Sequence, residues 1–417
     1  MSIKRRILPL LLSAAMLAAC GETEINEVRR SDDISFSWWG MDKRHSYTVN
    51  AVKQFVRMNP SIDVKSEYSE FSSFQKRMDA EFASHDECDV MQINYDWLFR
   101  YSPDGTGFYD LNQLADTIDL SNFTEDQLSY GMINGKLNGI ANALNTQTCY
   151  YDRGMYSDYG LELPKTWDDV FAAARVMSRD GIYPLTMNKK AAWLMCIAHQ
   201  EQTSGRRCYY EDGSVGFTEA DFAEILTFYK RLCDEKVTEL FSDVDTRELI
   251  DLKAAGLVCW ISDAGSFCEP AIEQGRDIVV GDYLTTGSGE LTGWYAKPTS
   301  LYCIRRDTKM PEASAKLVDF LLNSQEMAQA QGTEKGIPLS KSMLEVLEAN
   351  DLLKGIQVTA NDQMKATSGI KRISPCLENA VLVDSFASAA TDTVLTEADI
   401  ETEAKALYEA AQKAALK

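Results

Sequence analysis

Residues 34–64 read ISFSWWGMDKRHSYTVNAVKQFVRMNPSIDV. Ile34, Phe36 and Trp38 alternate with Ser35 and Ser37, which is the period-two pattern of a strand. From Tyr47 to Met58 the period changes: Val49, Val52, Phe55 and Val56 share one helical stripe, and Pro60 stops it. Ile62 to Tyr68 predicts a second strand. Phe71, Phe74, Met78 and Phe82 mark a second amphipathic helix. Asp89 to Ile93 predicts a third strand, apolar enough for burial on both faces. A βαβαβ run of this kind implies a parallel sheet with right-handed crossovers.

The same alternation continues toward the C-terminus. Thr166-Trp167-Asp168-Asp169 resembles a capping box opening a helix through Val176, and Thr218 to Asp221 opens another. Leu257 to Ile261 predicts a short buried strand. Pro311 to Leu322 reads as a helix with Ala315, Val318 and Leu322 inward, and Leu395 to Leu416 as a last helix. The length of 417 residues suits two or three domains. No Pro-rich or Ser-rich linker divides the body, so the chain is expected to cross between lobes more than once.

Residues 1–20 read MSIKRRILPLLLSAAMLAAC: a basic start, then an apolar stretch from Ile7 to Ala19 that is too short to span a bilayer, as in a secretory signal peptide. Leu17-Ala18-Ala19-Cys20-Gly21 resembles a bacterial lipobox, which implies cleavage before Cys20 and a lipid on its sulfur. Residues 20–33 are then a lipidated Cys and a polar tether, with a random-coil reach of about 20 Å. Loss of Lys4, Arg5 and Arg6 with the leader takes the formal charge from −21 to −24.

Such acidity argues against nucleic acid as a partner, because phosphate contacts dominate that affinity. His45, His85 and His199 are too scattered for a His-rich zinc site. Nine cysteines remain beyond Cys20, an odd number without C-x-x-C spacing, and several lie in apolar runs; mostly unpaired thiols are expected. The nucleophile elbow, the P-loop, H-E-x-x-H and G-x-G-x-x-G are all missing, so neither a catalytic residue nor a cofactor is expected. Asp243-Val244-Asp245 fails the EF-hand spacing.

Aromatic residues followed by polar ones recur where strands end. Trp38 and Trp39 precede Asp42 and Arg44; Asn94 and Asp96 follow the third strand; Trp260 precedes Asp263; Trp294 follows a Gly-rich turn; and Trp193 follows Lys189-Lys190. Open α/β sheets bind ligands at the carboxyl ends of their strands. A flat indole suits the C–H face of a sugar ring, while carboxylates, carboxamides and guanidinium groups suit its hydroxyls. Trp167, which opens a helix beside Pro164, reads as structural instead.

The order of several segments resembles the extracellular solute-binding proteins of carbohydrate ABC importers, family 1, related to maltose-binding protein. The opening strand, tryptophan-rich turn and helix are followed by Phe55…Asn59-Pro60-Ser61-Ile62-Asp63-Val64, then Gly135-Lys136-Leu137-Asn138-Gly139-Ile140-Ala141-Asn142, Gly160-Leu161-Glu162-Leu163-Pro164-Lys165-Thr166-Trp167-Asp168-Asp169 and Gly336-Ile337-Pro338. Ala141 stands where the family often has proline. The resemblance implies an α/β, periplasmic-binding-protein-like fold of type II: two α/β lobes joined by hinge strands, with lobe 1 at 34–142 plus 285–325 and lobe 2 at 143–284 plus 326–417. It implies a carbohydrate ligand between the lobes, held by Trp39, Asp42, Arg44, Asp96, Asn142, Trp193, Trp260 and Asp263, to which the strand-end pattern adds Trp38, Asn94 and Trp294. It further implies a monomer that docks on ABC permease transmembrane subunits and is tied to the membrane through Cys20. A surface glycan-acting enzyme and a binding protein for a non-sugar solute are the alternatives, and a phosphate-bearing ligand, with Lys43, Arg44, Lys189 and Lys190 as its basic groups, stays open. The Tyr150-Tyr151 pair is similar to that of ferric-ion binders but lacks the accompanying His and carboxylate.

Overall fold

A computed structural model describes residues 32–241, 247–287 and 293–415. The leader 1–19, the candidate lipidation site Cys20, most of the tether and the Asp243-Val244-Asp245 segment lie outside the described residues. β1 (Asp32–Trp39) pairs in parallel with both β2 (Ile62–Ser69) and β3 (Val90–Ile93). It starts two residues before the hydrophobic alternation does, because backbone pairing with Ile62 and Asp63 extends it. All four residues of β3 are buried, as its composition predicts.

α1 (Asp42–Met58) and α2 (Phe71–Ser84) make the crossovers. α1 begins five residues before its apolar stripe. Gly40 permits this abrupt turn: its N–H reaches Ser69 O at 3.2 Å, and a Cβ there would lie 2.7 Å from the Cβ of Arg44. Tyr47, Thr48, Ala51, Val52 and Phe55 form the buried face. At the other end the Asn59 side chain and backbone both donate to Phe55 O before Pro60.

β4 (Met132–Ile133) and β5 (Lys136–Leu137) form a small hairpin, followed by β6 (Ile140–Ala141), β7 (Leu144–Asp152), β8 (Thr186–Met187), β9 (Gly256–Trp260) and β10 (Ile278–Val280). β11 (Tyr295–Pro298), β12 (Leu301–Ile304) and β13 (Lys371–Arg372) complete the strands. One sheet runs β2-β1-β3-β12-β6, and a second runs β13-β11-β7-β9-β8 with β10 on β7. Helices pack on both sheets, giving the expected two-sheet α/β architecture.

The chain passes from the first sheet to the second at Asn142-Ala143, between β6 and β7, and returns at Thr299-Ser300, between β11 and β12. These two passages lie side by side. The Asn142 side-chain oxygen accepts from the Ser300 N–H and hydroxyl, both at 3.1 Å, and Thr299 N–H donates to Ala143 O at 2.9 Å. A third passage separates the helix Lys341–Ala349 from the helix Ile356–Ala366.

Two of the segments assigned from sequence divide between the sheets. In 285–325, β11 pairs with β7 of the second sheet while β12 pairs with β3 of the first. In 326–417, the helix Lys341–Ala349 packs with the helices Pro311–Asn323 and Gln325–Gln331, the latter lying on α1. Only the later helices join the second sheet's layer. The last helix, expected from Leu395, runs Ile400–Ala414; Leu395 instead ends the preceding helix, Ala380–Leu395. Glu397 breaks them with a left-handed φ of 54°, and Asp399 caps the second through Thr402 N–H.

Cys88, Cys149, Cys196, Cys208, Cys233, Cys259, Cys268 and Cys303 are buried free thiols, and Cys376 is also buried. No helix among the described residues is long and apolar enough to cross a membrane.

Candidate ligand cleft

A cleft of about 580 Å³ opens between the two sheets. The first sheet's layer contributes Trp39 from the end of β1, Arg44 from α1, and Gln92 and Asn94 from the end of β3. The second contributes Asn145 at the start of β7, Trp260 at the end of β9, Asp263 just after it, and Lys297 from β11. Lys335 enters from the turn after the helix Gln325–Gln331. Strand ends from both sheets therefore converge on one groove, the position at which open α/β sheets hold ligands.

The aromatic surfaces are fixed from behind. Trp39 is 9% exposed, packed edge-on against Phe71 at 5.6 Å and Trp97 at 5.5 Å. Trp260 is half-buried, and the Lys297 ammonium lies 4.6 Å from its ring centre. Its loop is held by a reciprocal pair: Asn145 Nδ2 donates to Ser262 Oγ at 2.9 Å, and Ser262 N–H donates to Asn145 Oδ1 at 3.1 Å.

Arg44 spans the cleft. Its guanidinium donates to Glu334 O at 3.0 Å on its own side and to Ser262 O at 3.2 Å and Asp263 Oδ1 at 3.3 Å opposite. Lys43 pairs with Glu334 at the rim. Deeper in, Lys297 Nζ donates to Asn94 Oδ1 at 3.2 Å and to Glu378 Oε1 at 2.7 Å, and Lys190 reaches the same Glu378 oxygen at 2.5 Å. Burial would raise the Glu378 carboxyl, but Lys190 and Lys297 overcome it and hold it well below the usual range. Lys335 is buried, and its Nζ donates to Gln92 Oε1 at 3.0 Å and Tyr302 Oη at 3.2 Å. Burial, reinforced by repulsion from Arg44, pushes this lysine down to about 7.

Of the residues selected by sequence, Trp39, Arg44, Asn94, Trp260 and Asp263 meet in this cleft. Asp42 opens α1, and its side chain lies outside the described part. Three tryptophans are core residues instead. Trp38 is fully buried between Phe36 and Tyr68, whose ring centres lie 4.8 and 4.9 Å away. Trp193 packs on Phe386 at 5.2 Å and donates to Leu377 O. Trp294 stacks on Trp167 and donates to Leu284 O. In each case apolar neighbours enclose the ring, and for Trp193 and Trp294 an internal carbonyl takes the N–H, leaving no face for a solute.

Asn142 serves the strand passages rather than the cleft. Asp96 sits behind Asn94, whose amide donates to it, and burial and Glu378 together raise its carboxyl above the usual range. Tyr150 and Tyr151 are fully buried on β7 and form no open site. Sequence reasoning passed over Gln92, Asn145, Lys297 and Lys335. Lys297 did carry a signal, a charge inside the otherwise apolar Tyr295-Ala296-Lys297-Pro298, and Lys335 directly precedes Gly336-Ile337-Pro338.

Residues 50–366 match the model of the bacterial extracellular solute-binding proteins. The chain belongs to that family. A periplasmic solute binding protein from Pectobacterium atrosepticum SCRI1043 is 26% identical, with a TM-score of 0.85 over 92% of this chain and 98% of the other. A periplasmic oligogalacturonide binding protein from Yersinia enterocolitica, solved with saturated digalacturonic acid, is 28% identical, with a TM-score of 0.85 over 91% and 98%. The multiple sugar-binding protein of Streptococcus mutans is 23% identical over 193 residues, 45% of this chain and 44% of that relative. The fold is that of a periplasmic solute-binding protein. The family and these relatives are solute-binding proteins, and the family works outside the cytoplasm.

Proposed function

We propose that this protein is the lipid-anchored binding component of an ABC importer that captures an oligosaccharide between two lobes and passes it, unaltered, to a membrane permease. The observation that carries the reading is the cleft itself: two indole surfaces, Trp39 and Trp260, face a groove that Arg44, Asn94, Asn145 and Asp263 line with hydrogen-bonding groups. Its volume lies within the range of about 300–1,000 Å³ usual for small-molecule sites. The sugars named for the Yersinia and Streptococcus relatives support a carbohydrate.

In this reading the lobes are the layers of the two sheets, and the side-by-side passages at Asn142-Ala143 and Thr299-Ser300 are the hinge. Closure over the sugar excludes water and strengthens each polar contact. The segment behind Cys20 holds the body near the membrane as a monomer. Metabolic labelling with a radioactive fatty acid tests the anchor: label is expected on the wild type and lost in Cys20→Ala.

The main test is a thermal-shift screen of the purified body against a glycan panel, with the mixtures then separated by chromatography. A ligand at a hundredfold excess over its Kd stabilises by about 2.7 kcal/mol, which a melting curve resolves. The expected result is a raised midpoint with the glycan recovered intact. Cleavage products would favour the enzyme instead.

A further inference from the structure

The chain is strongly acidic, with a formal charge of −21, yet positive charge collects on the floor of its cleft. Three lysines lie there. Lys190 and Lys297 share one carboxylate, that of Glu378, through the same oxygen. Lys335 is 1% exposed, and its hydrogen-bond partners among the described residues are neutral, Gln92 Oε1 and Tyr302 Oη. The charged group that acts most on it is another cation, Arg44. Arg44 is itself committed to Asp263 and to the carbonyls of Ser262 and Glu334. Lys190 and Lys297 have Glu378, with the Asp96 carboxyl close enough to act on both, so among the described residues Lys335 is the cleft cation left without a carboxylate partner. A buried charge is expensive unless it is paired.

The spacing of these charges limits what can complete them. An ammonium has three donors, and two of those on Lys335 are already used. Gln92, beneath Lys335, and Asn94, beneath Lys297, are two residues apart at the end of β3. Residues at that separation lie on one face of an extended chain, about 7 Å apart. Lys297 is already served by Glu378, so the floor offers one monovalent point, at Lys335, rather than a compact pocket for a dianion. Trp39, Trp260 and the carboxamides of Gln92, Asn94 and Asn145 line the same cleft, together with the carboxylates of Asp263, Glu269, Glu273 and Glu334.

We infer that the solute is an acidic sugar, a uronic acid or oligouronide, whose ring carboxylate binds at Lys335 and whose hydroxylated rings lie along Trp39 and Trp260. This rests on the carbohydrate reading above and narrows it. The carboxylate supplies the missing counter-charge, so acid and neutral forms of one sugar should be separated more by the floor than by the indoles. Charge-assisted hydrogen bonds are roughly twice as strong as neutral ones.

The test is calorimetric titration of the mature body at neutral pH with digalacturonate, a glucuronate-containing disaccharide, galactobiose, a neutral oligosaccharide panel and galactose 1-phosphate, at low and at physiological salt. At least one uronate is expected to bind about tenfold or more tighter than its neutral counterpart. Lys335→Gln, checked by its melting curve, should abolish that preference, and Lys335→Arg should retain part of it. Equal or tighter binding of the neutral sugars, or tight binding of the phosphate ester alone, overturns the inference and leaves a carbohydrate cleft standing. Failure of every sugar, acid and neutral, overturns the carbohydrate reading together with it.

Discussion

Trp260 and Trp167 are the same residue type in opposite situations. Trp260 is half-buried and faces the cleft, whereas Trp167 is 4% exposed and donates its N–H to Gln202 inside the second layer. Trp260→Ala should therefore lower affinity for the sugar about tenfold or more at a nearly unchanged melting midpoint. Trp167→Ala should keep affinity while losing about 3–5 kcal/mol of stability, the usual cost of emptying a buried indole site. Calorimetry beside thermal melts separates the two, and the reverse pattern would mean that the groove is not where the solute binds. Lys335 gives a second test. Its folded value of about 7 lies below the 10.5 of a free lysine. Between those limits the unfolded chain holds more protons than the fold, so this site's contribution to stability rises with pH and its cost is greatest at and below about pH 7. Lys335→Met should accordingly unfold at higher urea than the wild type at pH 7, and that advantage should shrink toward pH 10. An advantage that stays constant across this range would show that the lysine is not buried as a strained cation.

At the scale of single elements, the capping boxes at Thr166 and Thr218 are closed as their spacing predicts. Thr166 Oγ1 accepts from Asp169 N–H at 3.2 Å and Asp169 Oδ2 accepts from Thr166 N–H at 2.8 Å. Thr166→Ala should cost about 1 kcal/mol, read as a lower chemical-denaturation midpoint with sugar affinity unchanged. An unchanged midpoint would mean that the cap adds nothing. Such local grammar was legible because it lies within a few residues: β1, β2, β3, α2 and the helix Pro311–Asn323 stand close to where apolar periodicity puts them. Pairing between distant segments was not. β11 reads like any short apolar run, and only its register with β7 assigns it to the second sheet. The site divides in the same way. Trp39, Asn94 and Trp260 were legible as strand-end residues, but a tryptophan at a strand end can turn inward. Trp38, one residue before Trp39, does so because neighbours in a strand point to opposite faces. Trp193 and Trp294 needed Phe386, Trp167 and two distant carbonyls to reveal them as core. Lys335 meets Gln92 across 243 positions, a contact that no local pattern announces.

For the whole molecule, capture of a solute by the proposed route needs two lobes that move about the paired passages. The Asn142 side chain ties those passages together through Ser300. Asn142→Ala removes the acceptor of a buried N–H and should cost about 1–3 kcal/mol. It should leave the uronate-over-neutral preference intact, because Asn142 does not line the cleft. Thermal melts and titration of the same variant check both halves. Lobe closure should appear as a smaller radius of gyration in small-angle scattering once sugar is added, and an unchanged radius would mean that the cleft fills without hinge bending. The most direct measurement is a crystal structure of the mature body grown with the sugar that gives the largest thermal shift. Density for the intact sugar between Trp39 and Trp260, with a polar substituent at Lys335, is the expected result; an empty groove with the sugar bound elsewhere, or a cleaved product within it, would contradict the account.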